Sequence, residues 1–452
     1  MIADARSLES YRTSPLRALP RDSVYVGGWT IATVVMVGGY MVFQRAFAYL
    51  GVPGTPIFIS EILLLCFVAF HPEASSRRFI GALLRPNVLG PFAWGTLALI
   101  AYGLILVARG VAADYPLRLT FQELVFNVYP LYVFLGLWLA EKEPRLLERF
   151  MLDVSWVNGL YGIAYIAVLN NVPITMPGTS VLLFRPPLGH VAILLALLAF
   201  PTRGWRTWVP MLLNLVVLLG IQSRASYAGF AAGLLVWAWM SKRLGRTAAI
   251  AALVGVLFAV AWFANFRIPL ARGASELSAQ NVAAAVIAPF DEQTAAVYSS
   301  DARNFSGTVQ WRTAWWSGIW ESTHADPVRT FIGPGYGFEL TSAADLRSSE
   351  EDLRTPHNWF MYALGYGGWF GVLAFSMVLL TAFVLLWRSD RLTGAAFGVP
   401  FLVASTVIAT FSNFYETPYA AIPLWITVGL AIAPAVRAAE GAAPAVGRER
   451  RA

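Results

Sequence analysis

NWFMYALGYGGWFGVLAFSMVLLTAFVLLW, residues 358–387, runs for thirty positions without an acidic or basic side chain. A helix that crosses a bilayer needs about 20 mainly apolar residues, so this stretch is long enough to cross. The same window finds further candidates on either side of it. With the quoted stretch they make roughly twelve: 25–44, 52–70, 88–108, 119–140, 151–169, 187–200, 206–221, 225–241, 247–265, 358–387, 394–411 and 418–436. The sixth and seventh are short and interrupted by Pro201, Pro210 and nearby arginines. The fold class that follows is all-α, a polytopic membrane protein.

Composition agrees. Of 452 residues, 57% are hydrophobic and 13% charged, where a soluble domain carries about 25% charged. A globular fold still needs a polar exterior, so this chain is not a cytosolic enzyme, a disordered chain or a fibre. Cys66 is the only cysteine, which excludes an internal disulfide and a cysteine-based metal site. No small-residue cleavage site follows a short apolar core at the N-terminus, so no cleaved signal peptide is expected.

Lysine and arginine set the orientation, because cytoplasmic connections are enriched in them. The connections after even-numbered spans carry Arg77, Arg78, Arg85, Lys142, Arg145, Arg149, Arg203, Arg206, Lys242, Arg243, Arg246, Arg388 and Arg391. The short connections after odd-numbered spans carry only Arg45, Arg109, Arg118, Arg185 and Arg224. Both tails, 1–24 and 437–452, are therefore expected inside. Membrane helices one to nine occupy 25–265 and helices ten to twelve occupy 358–436. Between them lies one large hydrophilic connection, 266–357, on the external side. Within it VQWRTAWWSGIWEST (309–323) reads as a Trp-rich helix lying in the membrane interface.

The unusual polar residues gather at the external pole. Arg224 sits in a tight turn among Ser223, Ala225 and Ser226, where a cation is costly unless it meets an anion. Arg185 opens the sixth span behind the rigid Pro186 and Pro187, and His190 follows within that span. Glu61 and Glu123 lie near the external ends of their apolar runs, and Glu416 lies in the short connection SNFYETPY (412–419). Carboxylates at that pole are expected to pair with Arg185 and Arg224. In TPHNWF, Thr355 reads as a helix cap and Pro356 as the first helical residue. His357 and Asn358 then fall in the first turn, where the positive end of the helix favours an anion and a neutral imidazole. GPGYGFEL (333–340) resembles a phosphate loop only weakly, since no strand–helix unit with a lysine follows it. Neither a nucleotide nor a metal is implied, and no nucleic-acid partner.

These residues resemble the O-antigen ligase/polymerase superfamily, multi-span bacterial glycosyltransferases of the GT-C type. QSRASYAG (222–229) is similar to the family's Ser-Arg-small motif and places one arginine at Arg224. WRTAWWSGI (311–319) before FIGPGYGF (331–338) is similar to its loop helix and places a second at Arg312. PHNWFMYALGYGGWFG (356–371) is similar to its His-Asn motif and places the histidine at His357. RPPLGHVA (185–192) keeps an arginine and a glycine of a further motif but has His190 where a polar Asn stands in relatives.

The resemblance implies transfer of a glycan from an undecaprenyl diphosphate carrier, with inversion at the anomeric carbon and without cofactor, at the periplasmic face of the bacterial cytoplasmic membrane. Arg224, Arg312 and His357 would be catalytic. Arg185, Asn358, His190, Glu61 and Glu123 would bind diphosphate or acceptor. The acceptor would be a hydroxyl of the lipid A core in a ligase, or the next carrier-linked repeat in a polymerase; a monomer among membrane lipids is expected. A transporter is the reading from another class, and it would need polar residues through both leaflets.

Overall fold

The computed structural model describes residues 27–48, 50, 58–84, 87–176, 182–200, 204–270, 275–341 and 355–441. The predicted N-terminal tail and most of the C-terminal tail lie outside these residues, as does 342–354 of the predicted loop.

The described chain is helical nearly throughout. In order come α1 (Gly28–Phe43), α2 (Arg45–Ala48), α3 (Ile59–Phe70), α4 (Ser76–Leu84), α5 (Gly90–Ala112), α6 (Leu117–Lys142), α7 (Leu146–Ala167), α8 (His190–Ala199), α9 (Trp205–Gly220), α10 (Arg224–Ser241) and α11 (Leu244–Phe263). A polar segment follows, with β1 (Arg267–Pro269), β2 (Glu276–Ser278), α12 (Ala279–Ile287), α13 (Glu292–Tyr298), α14 (Ala302–Thr323) and α15 (Pro327–Ile332). The chain ends in α16 (Trp359–Thr393), α17 (Gly398–Thr410) and α18 (Pro418–Gly441). Five of these, α5, α6, α11, α16 and α18, are long and apolar enough to cross a membrane, and α1, α3, α8, α9 and α17 are shorter apolar helices.

Small residues let the central helices touch. A Cβ at Gly136 on α6 would lie 2.2 Å from the Ile426 carbonyl oxygen, and one at Gly429 on α18 would lie 2.2 Å from that of Val133. Glycine at both positions brings two backbones together where lipid gives no hydrophobic drive between helices. Gly229 and Gly233 do the same for α10 against α17, with Ala404 and Pro400 carbonyl oxygens 2.9 and 3.0 Å from the missing Cβ atoms. Trp425, Ile426 and Val428 on α18 are fully enclosed, so this last helix is the centre of the bundle.

The opening stretch is not one continuous helix. Gly368 has φ 56° and ψ −161°, and it breaks α16 into a short upper piece and a long lower one. A Cβ there would stand 2.7 Å from the Thr330 carbonyl oxygen. The Tyr102 hydroxyl sits between the Ile332 and Gly367 carbonyl oxygens, at 2.8 and 2.6 Å, and donates to the groups the break exposes. Apolar composition marks the length of such a helix but not its break; only glycine tolerates that backbone.

At the opposite pole Arg78 on α4 bridges Glu141 on α6 (2.5 Å) and Glu440 on α18 (3.2 Å). Asp390 accepts hydrogen bonds from the backbone N–H groups of Phe397, Gly398 and Val399, at 3.1, 2.9 and 2.8 Å, and so starts α17.

Candidate functional site

The site is built where α10, α14, the start of α16 and the α17–α18 connection meet. Gln222 adopts φ 55° and turns the chain tightly into α10. Ser223 caps that helix by accepting from the Ser226 N–H at 3.3 Å. Arg224 is then its first residue, and its Nη1 donates to the Phe305 carbonyl of α14 at 3.2 Å.

Arg312 projects from the middle of α14. Its Nη1 donates to the Phe411 carbonyl at 3.1 Å, and its guanidinium carbon lies 5.5 Å from the centre of the Trp311 ring. Its Nε is shielded from solvent and makes no hydrogen bond. Burial and the charge of Arg224 lower its pKa from the usual arginine value. Such a group stays protonated at neutral pH. Two guanidinium groups thus stand within electrostatic range of each other. Among the described residues neither forms an ion pair with a carboxylate. The pairing of Arg224 with a buried acid expected from sequence does not form; backbone carbonyls take the place of carboxylates.

His357 completes the group. It is half-buried, has φ 52°, and meets Trp311 edge-to-face with ring centres 6.2 Å apart. Trp316 Nε1 donates to the Pro356 carbonyl at 2.7 Å and holds the residue before it. Burial, then the charge of Arg312, bring its pKa down to about 4. The neutral imidazole expected from sequence therefore has a different cause, a neighbouring cation in a poorly solvated place.

The helix start is corrected as well. Asn358, not Thr355, caps α16: its Oδ1 accepts from Phe360 N at 2.9 Å and Met361 N at 3.1 Å. Pro356 and His357 precede the helix instead of lying in its first turn. Asparagine caps as well as threonine does, and here it is the residue whose side chain reaches the free N–H groups.

The Trp-rich helix is longer than expected, and its rings turn mostly inward. Trp315 is 1% exposed and donates to the Leu340 carbonyl at 2.8 Å; Trp311 stacks beside it with centres 5.8 Å apart. Only Trp320 among the four is exposed. These indoles hold α14 against the start of α16, which keeps Arg312 beside His357.

The remaining predicted residues have other surroundings. Glu61 Oε2 accepts from Phe58 N (2.9 Å) and Ser60 Oγ (3.0 Å), a helix-start capping arrangement. Glu123 accepts from the Tyr366 hydroxyl at 2.7 Å and lies 3.4 Å from Gly337 N. His190 is enclosed, with Nδ1 3.1 Å from the Pro187 carbonyl. The Arg185 segment is fastened to the end of α1 by Leu188 N and Gly189 N donating to the Met41 carbonyl, at 2.8 and 3.2 Å. The Arg185 carbonyl accepts from the Tyr161 hydroxyl at 2.9 Å.

GPGYGFEL is an anchor. Gly333, Gly335 and Gly337 all have positive φ. Gly335 N donates to Tyr366 O and Tyr336 N to Leu106 O, both at 3.1 Å, while the Tyr336 hydroxyl bonds Asn127. A phosphate loop keeps such N–H groups for its ligand; these are used up between helices.

Glu416, placed by sequence at the external pole as a carboxylate to pair with Arg185 or Arg224, is enclosed beside the start of α16. Both its carboxyl oxygens are shielded, the Thr355 hydroxyl is its polar neighbour, and burial pushes its pKa well above the usual carboxylate range. Sequence put it at that pole without naming it among the site residues.

A many-helix membrane protein with two arginines and a histidine grouped at one pole is the class these features define. Residues 209–376, from α9 into α16, match the family model described as O-antigen ligase. The matched stretch, a little over a third of the chain, is similar to that family and contains Arg224, Arg312 and His357. No match was found among curated proteins.

Proposed function

We propose that the protein transfers a glycan from a polyprenyl diphosphate carrier to a hydroxyl of the lipid A core, at the periplasmic face of the bacterial cytoplasmic membrane. The chain then crosses about twelve times with both ends inside, and the 266–357 segment lies outside. The observation that supports this reading is Arg312 within electrostatic reach of both Arg224 and His357, with neither guanidinium in an ion pair among the described residues.

The chemistry follows from those charges. The acceptor oxygen attacks the anomeric carbon, and the bond from that carbon to the diphosphate oxygen breaks. The electron pair leaves with the diphosphate, so negative charge grows where the two guanidinium groups stand. Donors aimed at developing charge give the largest single catalytic contribution, and charged pairs of this kind are stronger than neutral hydrogen bonds. His357 accepts the acceptor's proton, which a protonated imidazole could not do. Asn358 keeps His357 at the mouth of the helix.

The test is a deletion strain examined by surface-glycan gel and by analysis of carrier-linked glycan. Long glycan on the carrier with a bare lipid A core supports the ligase. A core bearing single repeats instead assigns a polymerase, and an unchanged profile with no surface polymer lost overturns both.

A further inference from the structure

The polar segment between α11 and α16 carries a small helical hairpin that the proposed chemistry does not use. Its core is made of alanines: Ala284, Ala288, Ala295 and Ala302, with Ile287 and Phe305 against them. Asp301 binds Ser275 and Asn281 and closes its base. At the tip, between α12 and α13, Phe290 is 89% exposed, and Val297 on α13 is 80% exposed. A polar segment in water has no reason to project its bulkiest apolar side chain so far.

Two observations say what covers these residues. First, the hairpin is seated at the end of α11, where Tyr298 meets Trp262 with ring centres 5.7 Å apart. Nearly all of α11 is unburied, and Val256, Val260 and Phe263 form an exposed apolar stripe at helical spacing that ends beside the hairpin. Phe266 carries the apolar surface past the helix end. Second, the two carboxylates beside Phe290 are hydrogen-bonded to the hairpin and its neighbour while staying exposed. Asp291 caps α13 by accepting from Thr294 N at 3.0 Å, and Glu292 accepts from the Ser306 hydroxyl. Charged groups held beside a projecting aromatic ring suit a headgroup layer with the ring below it.

We infer that this hairpin dips into the outer leaflet, with Phe290 and Val297 at the acyl boundary and continuous with the lipid-facing stripe of α11. The inference rests on the membrane reading of the chain and not on the proposed reaction. Its consequence reaches the site, because Phe305 belongs both to the hairpin core and, through its carbonyl, to Arg224. The bilayer surface then serves as the datum from which the Arg312 helix is placed.

A chain with one native cysteine suits a direct test. In the full-length protein carrying Cys66→Ser, nitroxide labels are placed at Phe290→Cys, Val297→Cys and, as a water-exposed control on α14, Arg303→Cys. The protein is held in nanodiscs of phosphatidylethanolamine and phosphatidylglycerol, and relaxation by oxygen is compared with relaxation by a polar nickel chelate. The expected result is several-fold greater oxygen than nickel accessibility at 290 and 297, with the reverse at 303. Greater nickel accessibility at 290 and 297 overturns the inference in favour of water. Exclusion of both relaxants overturns it in favour of a protein partner or second copy. Neither readout depends on transfer activity, so failure here is distinct from failure of the proposed function.

Discussion

His357 shows how burial and one charged neighbour together set the behaviour of a residue. Its imidazole is held at about 4, below the ordinary 6.5, by burial and by Arg312. Transfer measured with purified protein and carrier-linked glycan should therefore stay flat from pH 8 to about 5, then fall as the ring takes a proton. Stability has the same sign. Below about 6.5 the unfolded chain binds a proton that the folded site refuses until about 4, so acidification through that window destabilises the fold. His357→Gln should lower transfer by about 10²–10⁴-fold, the usual contribution of a positioned base, and remove the acid limb of the profile. Arg312→Lys keeps a charge but loses the planar fork; we expect at least a ~10²-fold fall, comparable with loss of one preorganised donor. Arg224 stood out in the sequence as a costly charge beside an apolar span and His357 as a residue at an outward helix start, whereas Arg312 was named only through the resemblance of its loop helix. The cause of the neutral histidine was not legible, since it depends on α14 folding over the start of α16. Glu61 and Glu123 read the same way from sequence as a binding carboxylate would, and only their backbone and hydroxyl donors separate the two roles.

Elements were legible to different depths. Length and composition located the five helices long and apolar enough to cross a membrane, because the bilayer admits few alternatives to a run of apolar residues; the equally long but polar α14 was read only over 309–323. What they could not locate was the break in α16, which rests on one glycine and on the backbone of Thr330 and Phe331 pressed against it. Gly368→Ala should cost about 1–3 kcal/mol from backbone conformation alone, and more from the collision, read as a lowered midpoint in detergent unfolding. Asn358→Ala removes the cap of the same helix and should cost about 1 kcal/mol. It should also loosen His357, so transfer should fall further than stability does. The Trp-rich helix was legible as a helix but not in where its rings go. Indoles suit both a membrane interface and a hydrogen-bonded core; Trp315 is buried, Trp311 and Trp316 are half-buried and Trp320 is exposed.

For the molecule as a whole, the charge bias and the gathering of arginines at one pole point to a single orientation. On the cysteine-free background, a cysteine at Arg303 should react in intact spheroplasts with a membrane-impermeant thiol reagent. Cysteines at Arg145 and Arg391 should react only after the membrane is opened, and the opposite pattern would refute the orientation. The Gly136–Gly429 crossing belongs to this scale too, because it joins the middle of the chain to its end. Gly136→Leu should prevent α6 and α18 from closing, and should reduce the yield of monodisperse protein.

That crossing has a bearing on how the protein is made. The helix at the heart of the bundle, α18, leaves the ribosome after all the other described helices. Each of them enters the bilayer before its central neighbour exists, so a slot lined by Val133, Gly136 and Leu137 must be kept clear of lipid or of stray helices until α18 arrives. Nascent chains halted before residue 418 should accordingly remain with the insertion machinery and its quality-control proteases, and release should follow the arrival of α18.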